Sequence, residues 1–293
     1  MHRPSLLAAL LSAGTALATP TPVKPAVAAS SSSSAIKCPI IFDGRVPNGT
    51  AVSYFDTSNA LFNPDYVKGA NLKWSQILQV PSVAASKFDA GGYEPIEVTI
   101  SDASIFNNQN GFRRAGLQFS SDSATGPGDS GVKTIHWSVK QDPAKPLNLT
   151  HEYLNVWHET SDYSADQFMF EAGTIIGSSG SDKNSWKILN RSSKSIWSTP
   201  IDSTQWQNFA VTMDYNKNTL QVYYSAGTAA LTAVTSAVSN DNSGNGQFQL
   251  GILKKPTGTS DVVNSGYQES GMHEGQIYGG LFVEDSANGC IST

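Results

Sequence analysis

Leu149-Thr150-His151-Glu152-Tyr153-Leu154-Asn155-Val156-Trp157-His158-Glu159 is the stretch that decides the fold. It carries two histidines, two glutamates, a tyrosine and a tryptophan in one strand-length run. Side chains on a strand alternate between its faces. One face then holds His151, Tyr153, Asn155, Trp157 and Glu159, and the other Glu152, Leu154, Val156 and His158. Leu154 and Val156 mark the second face as the buried one. The first is polar, aromatic and acidic together, the composition of a carbohydrate cleft: carboxylates supply acid–base chemistry and rings supply flat apolar platforms for sugars.

Outward from this run the same alternation recurs. Strands are predicted at Ile96–Ile100, Phe112–Phe119, Thr134–Lys140, Asp166–Glu171, Ser185–Leu189, Trp206–Tyr215, Thr219–Ser225, Gly246–Leu253 and Gly275–Glu284, separated by Gly-, Ser- and Asn-rich turns. Asp214 to Thr219 reads as a hairpin. Helical periodicity is weak and no repeat is found. The expected fold is all-β, a β-sandwich jelly roll with a concave substrate groove. Alternation assigns Arg114, Gln118, His136, Tyr153, Asn155, Trp157, Glu159 and Gln249 to that groove, a set rich in planar hydrogen-bonding heads.

The chain opens with His2 and Arg3, an apolar run from Leu6 to Leu17 and a small-x-small site at Ala16-Leu17-Ala18, a secretory signal over residues 1–18. Its apolar run is too short to span a membrane. Residues 19–36 are rich in Pro, Ala and Ser and read as a flexible leader. Residues 37–293 then form one domain. The only cysteines, Cys38 and Cys290, bracket it, and in an oxidising compartment they read as one disulfide. Closing so long a loop is worth about 4–5 kcal/mol in the chain-entropy model. Asn48, Asn148 and Asn190 head three glycosylation sequons. The net charge of −5 and the lack of a basic run argue against nucleic acid or an anionic membrane surface as partner. The expectation is a secreted, extracellular monomer acting on a polysaccharide.

Glycoside hydrolysis needs an acid at the leaving oxygen and a base or nucleophile opposite it. Glu152 and Glu159 are the leading candidates, with His151 beside them. Their odd spacing puts them on opposite faces of a regular strand. Either a bulge corrects the register or a partner comes from elsewhere, such as Glu171, Glu274 or Glu284. Any single exposed Glu is more often plain surface. His151-Glu152 lacks the second His of a helical zinc motif, since Asn occupies position 155, so groove histidines are favoured over metal ligands. No cofactor is expected. Asp241 to Gly246 lacks EF-hand spacing and reads as a turn rather than a calcium loop. Arg113 and Arg114 point to opposite faces, one to a buried or rim ion pair and one into the groove. An Arg beside Gln, His and Tyr also suits a lyase that neutralises a uronate, which keeps that alternative open.

Four segments together resemble glycoside hydrolase family 131: Cys38 to Pro47 (CPIIFDGRVP), Gly111 to Ala115 (GFRRA), Pro146 to Tyr153 (PLNLTHEY) and Gly251 to Gly258 (GILKKPTG). The likeness runs from about Cys38 to Cys290. It implies a secreted fungal β-glucanase on a β-jelly roll, broad on β-1,3-, β-1,6- and β-1,4-linked glucans, and inverting. It also implies an acidic residue in the slot held here by Gly116 and a histidine near Gln249. Those departures admit a third reading, a glucan-binding protein without turnover.

Overall fold

The computed structural model describes residues 36–293; the signal and nearly all of the leader expected at the N-terminus lie outside them. Two antiparallel sheets pack face to face. The larger has nine strands, built outward from the long strands Val132–Gln141 and His273–Asp285. The smaller has six, in the order Ser195–Pro200, Ser185–Asn190, Asp166–Gly173, Glu152–Glu159, Gln247–Lys254 and Arg113–Gln118. Every long strand expected from alternation is present, with ends moved by a residue or two. Ser195–Pro200 and Ile40–Asp43 had no clear periodic signal. The Asp214 to Thr219 hairpin forms as expected, with Asp214 and Thr219 paired and Asn218 at a φ of 53°. Among the described residues no helix is long and apolar enough to cross a membrane.

The layer between the sheets is aromatic at its centre. The Trp137 ring stacks on Phe209 at 5.6 Å and on Phe168 at 6.2 Å, and Phe170 stacks on Trp186 at 4.6 Å. Offset ring pairs add to the burial of their own area. Leu117, Phe119, Val156, Leu250 and Ile252 close this layer from the six-stranded side. Because these core positions alternate, residues between them must emerge on the sheet's other face. There a second apolar cluster forms from Phe112, Leu154, Trp157, Met169, Leu189 and Leu253. The six-stranded sheet is thus covered on both sides, and the outer cover holds the site.

Cys38 and Cys290 are bonded, as the cysteine count implied. Ser292 reinforces that closure: its Oγ lies 2.6 Å from Glu284, and its backbone N–H donates to the same carboxylate at 2.8 Å.

Candidate active site

Regular alternation fails at one residue of the central strand, and that failure builds the site. Leu154 pairs with Glu171 and Val156 with Phe170, so Asn155 is an extra residue against the Asp166–Gly173 strand. A bulge shifts the facing of everything before it by one. Gly251 accommodates the mismatch on the other side. Its φ is +141°, and a Cβ there would lie 2.1 Å from the Ala115 carbonyl oxygen. The consequence is that Glu152, Leu154, Trp157 and Glu159 share the outer face, while Tyr153, Val156 and His158 point between the sheets.

A cavity of about 560 Å³ opens on this face over Leu154, Trp157 and Leu253, with Arg114, Glu159, Asp166 and Lys255 around it. Its walls are loops. Residues 62–67 run along the edge strand, where Asn63 donates to the Gln118 carbonyl at 2.8 Å and Gly116 to that of Val67 at 2.8 Å. This brings Asp65 and Tyr66 over the sheet. Phe106 and Gln109 form a second wall, and Tyr163 stands at the tip of the hairpin joining the two central strands.

Of the residues predicted to bind or react, the structure gathers Arg114, Trp157 and Glu159 in the cavity. Gln249 donates to Glu159, and Gln118 sits opposite Gln249 in register, but both are buried and neither lines the cavity, so their expected place in the groove is corrected to a supporting one. Among the described residues Arg113 has no ion-pair partner; its guanidinium donates to the carbonyls of Asn110 and Phe112.

Five further expectations need correction. Tyr153 lies on the core side and donates to Glu274 at 2.8 Å. Asn155 is buried in the bulge, near the Gly251 carbonyl. His151 is buried at the strand's start, with Nδ1 against the Lys255 carbonyl at 2.8 Å and Nε2 3.0 Å from Glu269. His136 belongs to the nine-stranded sheet, where it pairs with Glu284 at 2.9 Å and stacks on Phe282; no sugar reaches it. Glu152 shares the face but not the cavity. It is ion-paired with Lys255, accepts from the Ile176 N–H, and lines a separate hollow of about 200 Å³. Seven residues of strand put it roughly 20 Å from Glu159, too far for the two to act on one bond.

The sequence reading missed the carboxyl that the fold does place beside Glu159. Asp166 is the cross-strand partner of Glu159. Treating 152–159 and 166–173 as the arms of one hairpin would have placed them opposite each other. Tyr66 and Asp65 come from an irregular segment far away in sequence, for which no periodic signal exists.

Burial raises Asp166 to about 7, with the neighbouring Glu159 charge adding to it; Lys255, His158 and Arg114 pull the other way. Burial also raises Glu159, against the Gln249 hydrogen bond and the Arg114 charge. The two carboxyls are cross-strand partners in unequal surroundings, and unequal surroundings are what push the titrations of an acid and a base apart. Burial lowers Arg114, which keeps one partner of its own, Gln109 at 3.1 Å. Further along the face, burial and Glu152 raise Glu171 to about 8. Below the sheet, His158 binds Gln167 at 2.7 Å and lies 3.3 Å from Asp129, a buried cluster facing away from the cavity.

Among the described residues no group of three or more His, Cys, Asp or Glu could hold a metal ion. Asp241 caps its own loop by accepting from the Ser243 N–H at 2.9 Å. Of the sequon asparagines, Asn48 is exposed, whereas the Asn148 side-chain amide donates to Glu269 at 2.8 Å. Asn190 accepts from two backbone N–H groups of its turn.

The family model described as the glycoside hydrolase 131 catalytic N-terminal domain matches residues 40–289. Two solved structures share the fold. The catalytic domain of a family 131 β-glucanase from Podospora anserina is 19% identical at a TM-score of 0.68, covering 84% of this chain and 96% of that one. The family 131 catalytic domain from Coprinopsis cinerea is 20% identical at 0.66, covering 85% and 95%. Among curated proteins no relative matches the chain.

Proposed function

Since the chain belongs to glycoside hydrolase family 131, and so is a glycan-hydrolysing enzyme, we propose that it is a secreted β-glucanase that attacks β-1,3-, β-1,6- and β-1,4-linked glucans with inversion. The frame would be a jelly roll, its six-stranded face forming the substrate groove. In this reading residues 1–18 direct export and 37–293 act as one domain.

One observation carries the mechanism: Glu159 and Asp166 are opposed in a half-buried cavity with unequal surroundings. Asp166, held up at about 7, keeps its proton and gives it to the leaving oxygen. Glu159, whose ionised form the Gln249 hydrogen bond and the Arg114 charge favour against burial, draws a proton from water. Inversion requires the two carboxyls to open to roughly 6.5–9.5 Å around that water. Trp157, Leu154 and Leu253 supply an apolar floor for a pyranose face, and Tyr66 and Gln109 the hydroxyl and amide partners for its oxygens, while Gln249 holds the Glu159 carboxylate from behind.

The lyase alternative has less support. The Glu159 charge already acts on Arg114, which makes it a poorer partner for a uronate. The binding-only alternative has one observation in its favour: the Gly116 slot is open and holds no carboxylate. A Cβ there would meet nothing closer than 3.9 Å.

The test is reducing-sugar release from laminarin, pustulan, barley β-glucan and cellulose, with Glu159→Gln and Asp166→Asn beside the parent. Release that falls at least about 100-fold in both variants supports the pair. Release by neither parent nor variants, with glucan still retained in a pull-down, overturns turnover and leaves the binding reading. Proton NMR of the first product anomer decides inversion.

A further inference from the structure

Six non-glycine residues among those described have positive φ. Four are asparagines and one is a serine, small polar residues that tolerate the left-handed region. The sixth is Tyr163, at a φ of 59°. A bulky side chain there runs against the backbone preference of its own turn, and such outliers, held by the structure around them, cluster at active sites and ligand clamps. The turn itself does not need the ring. Thr160 donates to Asp162 at 2.8 Å, the Ser164 N–H donates to the same carboxylate at 3.1 Å, and the Tyr163 N–H donates to the Thr160 carbonyl at 2.9 Å. All of these survive replacement of the side chain.

What the ring does instead is stand in solvent at the cavity mouth. It is 72% exposed, more than any other large hydrophobic residue among those described, and it lines the same cavity as Glu159 and Asp166. Scattered exposed apolar residues need no explanation. An exposed ring that is also strained, and that borders a cavity floored by Trp157, is a different matter.

We infer that Tyr163 is a sugar-stacking platform: it receives a glucosyl ring beyond the unit held in the cavity and makes affinity depend on chain length. This rests on the glucanase reading. The equatorial hydroxyls of β-glucose leave the two faces of the ring as C–H surfaces, which pack flat on an aromatic ring. The hydrogen-bonded turn holds the backbone that carries the platform before substrate arrives, so no loop has to be ordered on binding.

The experiment uses the mature protein in a Glu159→Gln background, so that ligand is not consumed. Titration calorimetry measures a β-1,3-linked glucohexaose and the corresponding disaccharide against the parent, Tyr163→Asn and Tyr163→Phe. Asn suits the positive φ, so its Tm should equal or exceed that of the parent while hexaose affinity falls roughly fivefold and disaccharide affinity holds. Phe, which keeps the ring, should bind hexaose like the parent. Equal hexaose affinity in Tyr163→Asn overturns the platform and leaves the glucanase reading standing. No hexaose binding by the parent overturns the glucanase reading, and the platform with it.

Discussion

Replacing Asp166 with Asn should make the protein more stable and less active at once. The ordinary value of the group is 3.8 and its folded value about 7. Its pKa is raised, so ionised Asp166 disfavours the fold: stability falls as pH rises from about 4 through about 7, then levels off. Each pH unit between the two values is worth about 1.4 kcal/mol. The burden at pH 8.5 is therefore about 4 kcal/mol at most, reduced by whatever Lys255 recovers on relaxing toward it. Asn matches the shape and carries no charge. At pH 4, where Asp166 is protonated in the fold, the variant and parent should be close. At pH 8.5 the variant should lead by about 2–4 kcal/mol in urea unfolding. Glucan hydrolysis should drop at least about 100-fold near pH 6, where the parent's acid holds its proton and the amide has none to give, and by much less at pH 8.5, where Asp166 of the parent is itself mostly ionised. Parallel stability–pH curves for variant and parent would refute the reasoning, since Asp166 would then not be held up by its surroundings.

Four further outcomes follow from the same face. Lys255 holds Asp166 down, so Lys255→Met should move the alkaline limb of the pH–rate profile to higher pH, as the acid keeps its proton longer. Glu152→Gln should leave the rate within about threefold while lowering stability by about 1–3 kcal/mol, because it removes one partner of a largely buried ion pair; denaturant melts and initial rates separate the two effects. Gly251→Ala should cost roughly 3 kcal/mol or more, since its Cβ would strike a carbonyl, whereas Gly116→Ala should fold with Tm unchanged or higher.

Most of the sandwich could be read from alternation, because a strand with one face in the core repeats every two residues whatever its partners are. The site was legible only in part, for a physical reason. Asn155 looks like any polar position in a period of two, and what makes it a bulge is the pairing of its neighbours with Glu171 and Phe170. Misplacing that one residue exchanges the faces of Tyr153 and Leu154. Trp157 and Glu159 lie beyond the bulge and keep the outer face that alternation assigns them. His136 alternates properly on its strand, but periodicity cannot say which sheet a strand joins or whether its far face is covered. Lys187 and Lys254, both nearly inaccessible, show the same limit. Their partners Gly173 and Glu274 come from other strands.

The disulfide between Cys38 and Cys290 turns 252 residues of separation into a covalent ring. A ring has no first break. One cut in any surface loop between those cysteines leaves a single molecule whose pieces are joined through sulfur, and only a second event, reduction or another cut, can release them. Such a nicked chain should run as one band without reductant and as two with it. Its sheets should stay assembled, because the pieces cannot diffuse apart. For a protein with many loops, connectivity then rests on one bond that no peptidase recognises.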